Sequence, residues 1–509
     1  MSAIAPQATN RPSIRPDNVL PSHLDLYYGG QWHSPRAGEY VATINPANGE
    51  AIARVAHAGA EDASAAIAAA HDAFHAWGRS APLERAARLK DAAQVLRAEA
   101  EALAMLDALN TGNPVSQMVA DAKMAAQAME YFAGLVTEVK GETIPMGSAL
   151  FDYTVREPLG VVARIVAYNH PLMFAAMKIG APLAAGNTVV VKSPEQAPLS
   201  SLRMAELIGG LFPPGVVNVL SGGKACGQTM ATHPLVRKVT LIGSVPTGKA
   251  IMRAAADTLK PVLLELGGKN ALIAYPDADI DKVIAGAVRG MNFTWAGQSC
   301  GSTSRVFLHE SIHDRVLDGI VQTVVRNHKP GLPTDWSTTM GCLVSQAQFD
   351  KVMGFVQSGR DEGARLVTGG RKPEDAALAK GFFVEPTVFA DVTPSMRLAR
   401  EEVFGPILSV FKWSDEDRMF DAVNAVDYGL TASIWTRDLV VAHRAARRVE
   451  AGYVWINNAS AHFHGAPFGG YKQSGIGREE SFDELLEFTQ VKNVNVNLEG
   501  YLTTLSCAR

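Results

Sequence analysis

One stretch of the chain carries a group suited to covalent catalysis: residues 295–305, WAGQSCGSTSR, with Cys300 at its centre. Glycines on both sides, Gly297 and Gly301, let the backbone approach a bound molecule closely and leave N–H groups able to face a developing oxyanion. Because the nucleophile is the thiolate, a catalytic Cys300 needs an oxyanion donor and a base from elsewhere in the chain. The alternative is a buried, inert thiol, the common state of a free cysteine.

The composition is that of an ordinary globular protein, with 47% apolar and 19% charged residues among 509. This length predicts two or three folded units. The net charge of −4 gives no indication of a nucleic-acid or membrane-surface partner, and no apolar run approaches the roughly 20 residues of a membrane span. The scattered cysteines form no CxxC pair, and the first residues contain no secretory signal. We therefore expect a cytoplasmic protein without a metal site or a disulfide framework.

Apolar strands alternating with helices dominate the middle of the chain. Strands are expected at 161–167, 188–192, 216–220, 239–242 and 261–265, and helices at 171–183, 199–211, 227–233 and 246–259. Continuous apolar strands indicate parallel pairing, and such sheets bind ligands at the carboxyl ends of their strands. The dinucleotide fingerprint G-x-G-x-x-G is absent, but residues 243–248, GSVPTG, follow a strand and open a helix whose N-terminus could hold a pyrophosphate.

The flanking segments continue the α/β pattern. Before it we expect short strands at 27–32 and 41–45 and helices at 61–77, 84–109 and 115–139. After it we expect helices at 280–293, 312–327 and 440–449, strands at 306–309, 408–412, 433–436 and 454–456, and a loop at 359–385. Residues 151–156 and 491–498 alternate as exposed strands do, and so late a strand has an open edge unless it pairs, in one chain or between subunits.

Six short motifs together resemble those of the aldehyde dehydrogenase superfamily. They are ELGGK at 265–269, GQSC at 297–300, YNHP at 168–171, KSPE at 192–195, EVFGP at 402–406 and PFGG at 467–470. The resemblance, which extends from about residue 24 to residue 498, implies two doubly wound α/β domains and a β-arm for oligomerisation. It places a flexible lead-in at 1–23, an NAD-binding domain at 24–139 and 159–267, a catalytic domain at 268–480, and the arm at 140–158 and 484–500. The arm implies a homodimer or homotetramer.

The resemblance assigns Cys300 as the nucleophile that attacks an aldehyde. Asn169 would donate its neutral amide to the oxyanion, together with the backbone N–H of Cys300; its structural alternative is a turn residue before a proline. Glu265 ends an apolar strand, where burial would raise the pKa of its carboxyl and suit it to deprotonating the water that hydrolyses a thioester. Lys178 and Glu479 match positions that support this base by a proton relay, or they are surface charges.

The cofactor that the resemblance implies is NAD. Lys192 and Glu195 match residues that bind the adenosine ribose, and a carboxylate there repels a 2′-phosphate, so NADP is disfavoured. Ser244 matches a pyrophosphate contact, Glu402 a nicotinamide-ribose contact, and Phe404 a residue packed beside the nicotinamide. The remaining predicted cofactor positions are Gly243, Gly248, Leu266 and Gly267.

The predicted substrate pocket consists of Met124, His170, Met177, Thr294, His462 and Phe468. Many family members have aromatic residues where this chain has His170 and Met177, and Thr294 replaces a frequent aromatic. Methionines predict an adaptable apolar tunnel, and its histidines, including His464, either bond a polar tip of the substrate or are structural. No arginine for a substrate carboxylate is found among these positions, and Thr294 weakens a cage for a quaternary ammonium. We expect an uncharged aldehyde of medium size, aromatic or aliphatic.

Three alternatives stay open at the level of sequence. The first is a relative that passes the acyl group to coenzyme A, which Glu265 argues against because activated water would consume the thioester. The second is a semialdehyde or betaine-aldehyde dehydrogenase, and the third is a non-catalytic binding protein. Cys226, Cys342 and Cys507 match no catalytic position and are interpreted as structural.

Overall fold

The computed structural model describes residues 14–498 of the chain. Residues 1–13 of the predicted lead-in, residues 499–500 of the predicted arm, and Cys507 lie outside the described residues. Within the rest of the lead-in, Pro16–Asn18 forms a short 3₁₀ helix and the side chain of Val19 is buried.

An eight-stranded sheet forms the first half of the molecule. Its inner strands are mostly buried and run parallel, as their apolar sequences predicted. In spatial order the strands are Gln31–His33, Leu26–Tyr28, Val217–Leu220, Thr188–Lys192, Val161–Ile165, Val236–Ile242, Val262–Glu265 and Gly475–Ile476. The strands at the two ends pair antiparallel. The last of them belongs to the glycine-dense segment near the C-terminus, so that segment reaches the first sheet beside Glu265.

Helices cover both faces of this sheet. They are Ala60–Trp77, Pro82–Ala98, Ala100–Thr111, Val115–Gly134, Pro171–Met177, Gly180–Ala184, Leu199–Ile208, Lys224–Thr232 and Val245–Ala256. Two single helices predicted from sequence are wrong, because each is divided. The break at Glu99 separates the second helix from the third. The break at Lys178 and Ile179 frees the Lys178 carbonyl, which accepts a hydrogen bond from the Arg164 guanidinium.

A seven-stranded sheet forms the second half. Its strands, in spatial order, are Arg365–Thr368, Thr387–Ala390, Ile407–Trp413, Arg305–His309, Ala271–Ala274, Thr431–Trp435 and Tyr453–Ile456, all parallel except the first. Its helices are Ile280–Gly290, His313–Asn327, Gln346–Asp361, Arg397–Arg400, Glu416–Asn424 and Leu439–Arg448. Two sheets with helices on their faces confirm the α/β fold class.

The loop predicted at 359–385 is wrong in part. The end of one helix, Gln346–Asp361, and one edge strand, Arg365–Thr368, fall inside it. That strand is only half-buried, so it lacks the continuous apolar run that marks a central strand. Two strands of this sheet, Ala271–Ala274 and Thr387–Ala390, escaped prediction.

The smaller elements include a three-stranded sheet at one end of the molecule. Thr489–Asn497 pairs antiparallel with Leu150–Pro158 along its whole length, and Thr143–Ile144 pairs with the other side of Leu150–Pro158. The late alternating strand therefore pairs within its own chain, and its outer edge has no strand partner among the described residues. The remaining pieces are the hairpin Tyr40–Ile44 with Ala51–Ala56, the pair Tyr428–Gly429 with Tyr471–Lys472, and the helix Phe482–Glu487.

None of the helices in the described part of the chain is long and apolar enough to cross a membrane.

Candidate active site

A cavity of about 380 Å³ opens at the carboxyl ends of four neighbouring parallel strands in the eight-stranded sheet. The chain after each of these strands contributes part of its wall: residues 165–169, Lys192, 194–196, 241–244, Thr247 and 265–267. Loops and one helix of the second half contribute the opposite wall, which consists of Cys300, Gln348, Lys351, Glu402 and Phe404. The predicted nucleophile, base, oxyanion donor and all predicted cofactor positions except Gly248 thus line one cavity.

Cys300 lies on a loop that is fixed by its glycines. Gly297 has a φ of +68°, and a Cβ there would lie 2.2 Å from the Gly405 carbonyl oxygen. A Cβ on Gly268 would lie 2.4 Å from the carbonyl oxygen of Cys300 itself. The Asn270 amide donates to that same carbonyl at 2.7 Å. Gly297 and Gly268 therefore let two backbone segments pass closely by the Cys300 loop. This packing fixes the orientation of the partly exposed Cys300.

The thiol of Cys300 is held in its protonated form. Burial, followed by the nearby carboxyl groups of Glu265 and Glu402, raises its pKa. The sulfur therefore has to lose this proton as it reacts.

Glu265, the last residue of its strand, is 3% exposed. Neither of its carboxyl oxygens has a hydrogen-bond partner within residues 14–498. Burial and the neighbouring Glu479 raise the pKa of this carboxyl well above its usual range, and Lys178 opposes the shift. A buried, unpartnered carboxyl is costly to the fold, and such a group facing a cavity is typical of a catalytic acid or base.

A buried charge cluster lies behind Glu265. Lys178 Nζ is 2.8 Å from Glu479 Oε2, so these two residues are an internal ion pair and not surface charges. Arg164 adds Nη1 at 3.7 Å from Glu479 and Nη2 at 3.1 Å from Glu484. All four side chains are at most 3% exposed.

Sequence reasoning missed Arg164 and Glu484. A signal for Arg164 was present, since a lone arginine inside a strand buried on both faces requires an anionic partner. The partner could not be found, because Glu484 lies 320 positions away along the chain.

Asn169 occupies the bend between its strand and the helix Pro171–Met177 and is 4% exposed. The Asn113 side chain donates to its backbone carbonyl at 2.8 Å and fixes the bend. The Asn169 amide lines the cavity and forms no hydrogen bond with another described residue. It is thus a turn residue whose side chain is also available to a ligand.

The other end of the cavity offers groups that fit a dinucleotide. Lys192, 8% exposed, and the exposed Glu195 lie where this cavity meets an adjoining one of about 630 Å³. Ser244 caps the helix Val245–Ala256, which points its N-terminus into the cavity. A helix N-terminus suits a pyrophosphate, and a carboxylate suits the hydroxyls of a ribose.

Close backbone approaches shape this end as well. A Cβ on Gly248 would lie 2.8 Å from Leu266 Cδ1, so Gly248 serves helix–strand packing and does not line the cavity. A Cβ on Gly267 would lie 2.3 Å from Glu402 Oε2. The Glu402 carboxylate accepts a hydrogen bond from Gly268 N at 2.9 Å and so is held beside the backbone of the glycine turn.

Phe404 has a φ of +56°, unusual for a residue with a side chain. Its carbonyl accepts a hydrogen bond from Gln348 at 2.6 Å, and its ring meets Tyr168 edge to face, with centroids 5.8 Å apart. Gln348 and Tyr168 also line the cavity, although no periodic pattern in the sequence indicates either position.

The six predicted substrate-pocket residues do not line this cavity. Met177 is 1% exposed within the main apolar core. Met124 is half-buried on the helix Val115–Gly134, and Thr294 lies on the turn that leads to Cys300. His462 packs on the buried Phe468 with ring centroids 4.9 Å apart and has Nδ1 3.4 Å from Glu480.

His170 lies between rings. Its centroid is 5.5 Å from those of Trp295 and Phe174, and its Nδ1 is 2.6 Å from Asp121 Oδ2. The sequence predicted the histidine but not the carboxylate, which comes from a helix 49 positions earlier. Asp107 is a second missed carboxyl in this region; burial raises its pKa to about 7.

Comparison with known proteins gives a consistent result. The aldehyde dehydrogenase family model matches residues 32–494. The chain is 54% identical to "Aldehyde dehydrogenase tropH" of Talaromyces stipitatus, over 97% of this chain and 96% of the relative. It is 42% identical to a betaine aldehyde dehydrogenase of Brucella melitensis, over 93% and 97% of the two chains. The NAD⁺ complex of an aldehyde dehydrogenase from Bacillus cereus matches with a TM-score of 0.91 and 38% identity, over 94% of this chain and 97% of that one.

Proposed function

The chain belongs to the aldehyde dehydrogenase family, and we propose that it oxidises an uncharged, medium-sized aldehyde to a carboxylic acid with NAD⁺ as the oxidant. The observation that carries this proposal is the shared cavity of Cys300, Asn169 and Glu265, in which both oxygens of the glutamate are unpartnered. These are the nucleophile, oxyanion donor and base that oxidation through a thioester requires. Lys192, Glu195, Ser244 and Glu402 are the groups that would hold the dinucleotide.

In the first half of the reaction the sulfur of Cys300 bonds to the aldehyde carbon. Because the raised pKa of the thiol keeps it protonated beforehand, the sulfur gives up its proton to solvent in the open cavity as it reacts. The Asn169 amide and the backbone N–H of Cys300 donate to the oxyanion of the resulting thiohemiacetal. NAD⁺, when bound, supplies the two-electron acceptor that turns this adduct into a thioester.

In the second half Glu265 accepts a proton from water, and the water oxygen attacks the thioester carbon. The carbon–sulfur bond then breaks, the leaving sulfur takes the proton from Glu265, and the acid departs. The raised pKa of Glu265 makes it a stronger base than an exposed carboxylate. Lys178, ion-paired to Glu479, opposes that rise in the pKa of Glu265.

The test of this function is NADH formation by the purified protein on a panel of aromatic, straight-chain, carboxylated and quaternary-ammonium aldehydes, with product analysis with and without coenzyme A. We expect turnover of the uncharged aldehydes and release of the free acid under both conditions. Acyl-CoA as the product would replace the hydrolytic assignment by acyl transfer. A preference for betaine aldehyde or for a carboxylated semialdehyde would contradict the proposed substrate class.

Replacing the proposed oxyanion donor gives a sharper test of the site. Asn169→Ala is expected to lower kcat/KM for the best aldehyde by about 10²–10³-fold, the cost of losing one oxyanion donor. The NAD affinity and the melting temperature should stay near the wild-type values, because the Asn113 bond that fixes this bend goes to the backbone carbonyl. A loss below threefold would remove Asn169 from the proposed mechanism.

NAD is favoured over NADP by the carboxylate of Glu195, which lies at the mouth of the cavity beside Lys192. Glu195→Gln keeps the size of the side chain and removes its charge, so the ratio of kcat/KM for NADP to that for NAD should rise by about tenfold or more. Glu374→Gln, at an exposed glutamate remote from the cavity, should leave the ratio unchanged. An unchanged ratio in Glu195→Gln would place the discrimination elsewhere.

We further propose that the protein is a cytoplasmic homodimer or homotetramer. On its outer side the strand Thr489–Asn497 pairs with no other strand within residues 14–498, and Val491 on that strand is 57% exposed. The thiols of Cys226, Cys300 and Cys342 are free, as in a reducing compartment. A monomer by light scattering at the assay concentration would contradict the assembly.

A further inference from the structure

A histidine–carboxylate pair next to the site is not used by the proposed mechanism. Asp121, on the helix Val115–Gly134, and His170 are 8% and 12% exposed and lie 2.6 Å apart. Burying a polar pair costs the fold more than burying a phenyl ring of similar size. The family resemblance leads us to expect an aromatic residue at the position of His170. The polar pair is therefore not required to fill this part of the structure.

The pair holds the imidazole in one orientation. Nδ1 faces the Asp121 carboxylate, while Trp295 and Phe174 pack on the ring with centroids 5.5 Å away. Nε2 forms no hydrogen bond with the part of the chain that the structure describes, and it is not one of the fully buried polar atoms. It is therefore the one edge of this ring that is open to a ligand.

The location of this edge ties it to the substrate. His170 directly follows Asn169, whose side chain lines the Cys300 cavity, and its neighbour Trp295 belongs to the turn that delivers Cys300. The ring thus lies between the two segments that carry the proposed oxyanion donor and nucleophile. A molecule whose carbonyl reaches both segments has its remaining atoms near the imidazole ring of His170.

The chemistry of the pair selects an oxygen substituent. Burial opposes the charged imidazolium, but the Asp121 carboxylate outweighs it and raises the pKa of His170. With Nδ1–H donating to Asp121, the protonated ring presents Nε2–H as a donor. The complementary group is an oxygen that accepts a hydrogen bond, and the surrounding rings favour an aromatic frame.

We propose that His170, oriented by Asp121, binds a hydroxyl or oxo oxygen on the ring of an aromatic aldehyde and so determines substrate preference. This inference rests on the proposed function. It predicts that the enzyme favours ring-hydroxylated aldehydes over analogues in which a methyl group occupies the same ring position.

The experiment compares kcat/KM for hydroxybenzaldehydes with that for the methylbenzaldehydes substituted at the same position, using 3- and 4-substituted pairs. In wild type we expect kcat/KM for the hydroxyl member to exceed that for the methyl member by about tenfold or more at one position. His170→Phe keeps an aromatic ring and should abolish that preference, which is measured as the hydroxyl-to-methyl ratio of kcat/KM. His170→Gln retains a donor and should keep part of the preference, and Asp121→Asn should weaken it.

His309→Phe is the matched control, because His309 packs edge to face on Trp413 in the other sheet, and its hydroxyl preference should equal that of wild type. A His170→Phe preference equal to wild type would overturn the inference. If His170→Phe loses NAD binding or its melting transition, the hydroxyl-to-methyl ratios of His170→Gln and Asp121→Asn serve as the test. Ratios equal to that of wild type in both variants would then overturn the inference. Absence of benzaldehyde turnover in wild type would instead contradict the proposed function, so the two failures are distinguishable.

Discussion

Cys300→Ala is expected to reduce NADH formation from every aldehyde by at least about 10⁴-fold, the scale seen when a covalent nucleophile is removed. Among the three cysteines that the structure describes, Cys300 alone lines the cavity that also holds Glu265 and Asn169. Without its sulfur no thiohemiacetal forms, and the remaining groups can only bind the substrate. The measurement is the absorbance of NADH at saturating aldehyde and NAD.

The control for this variant is Cys342→Ala, at a cysteine that is fully buried in a small apolar cluster. Its activity should remain within about threefold of wild type, although its melting temperature should fall, because a buried sulfur is lost. NAD affinity should be unchanged in Cys300→Ala. Turnover that persists in Cys300→Ala and falls in Cys342→Ala would indicate Cys342, and not Cys300, as the nucleophile. That result would refute the proposed site.

Glu265→Gln is expected to lower steady-state turnover by about 10²–10⁴-fold, the usual contribution of a general base. The amide keeps the shape of the side chain but cannot take a proton from water, so the thioester accumulates. Rapid mixing should then show a burst of NADH of about one equivalent per active site, followed by slow release of acid. Glu310→Gln, at an exposed glutamate that follows the strand Arg305–His309, should behave as wild type.

The pH dependence of wild type follows from the same carboxyl. Its ionised form is the active base and its pKa is raised by burial, so kcat should fall on acidification at a pH well above the ordinary glutamate value of about 4.3. This acid limb should be missing from the residual turnover of Glu265→Gln. A steady-state rate for Glu265→Gln within threefold of wild type, with no burst, would mean that water is activated by another group.

The part of the site that sequence could predict is the part built at strand ends. Apolar runs such as residues 188–192 indicate buried parallel strands, and parallel strands deliver Lys192, Glu265 and the Gly243 turn to one edge of the sheet. Gly297 beside Cys300 was equally readable, because a specific close approach to the Gly405 carbonyl requires it, whereas no close approach requires Gly301.

The part that could not be predicted depends on side chains brought together from distant segments. Nothing in the sequence pairs Asp121 with His170 or Glu484 with Arg164, since neither pair follows a helical or strand spacing. The break after Met177 is different, since Gly180 and Pro182 give a local signal against one continuous helix. It buries Met177 in the core and turns Lys178 toward Glu479.

The most direct test of the central claim is peptide mapping by mass spectrometry of Glu265→Gln quenched after mixing with aldehyde and NAD. On the peptide that contains Cys300 we expect an acyl group, whose added mass is that of the aldehyde minus two mass units. This acyl group should be absent when NAD is omitted. An adduct on Cys226 or Cys342, or none on any cysteine while NADH forms, would contradict the assignment of Cys300 as the nucleophile and Glu265 as the base that releases the acid.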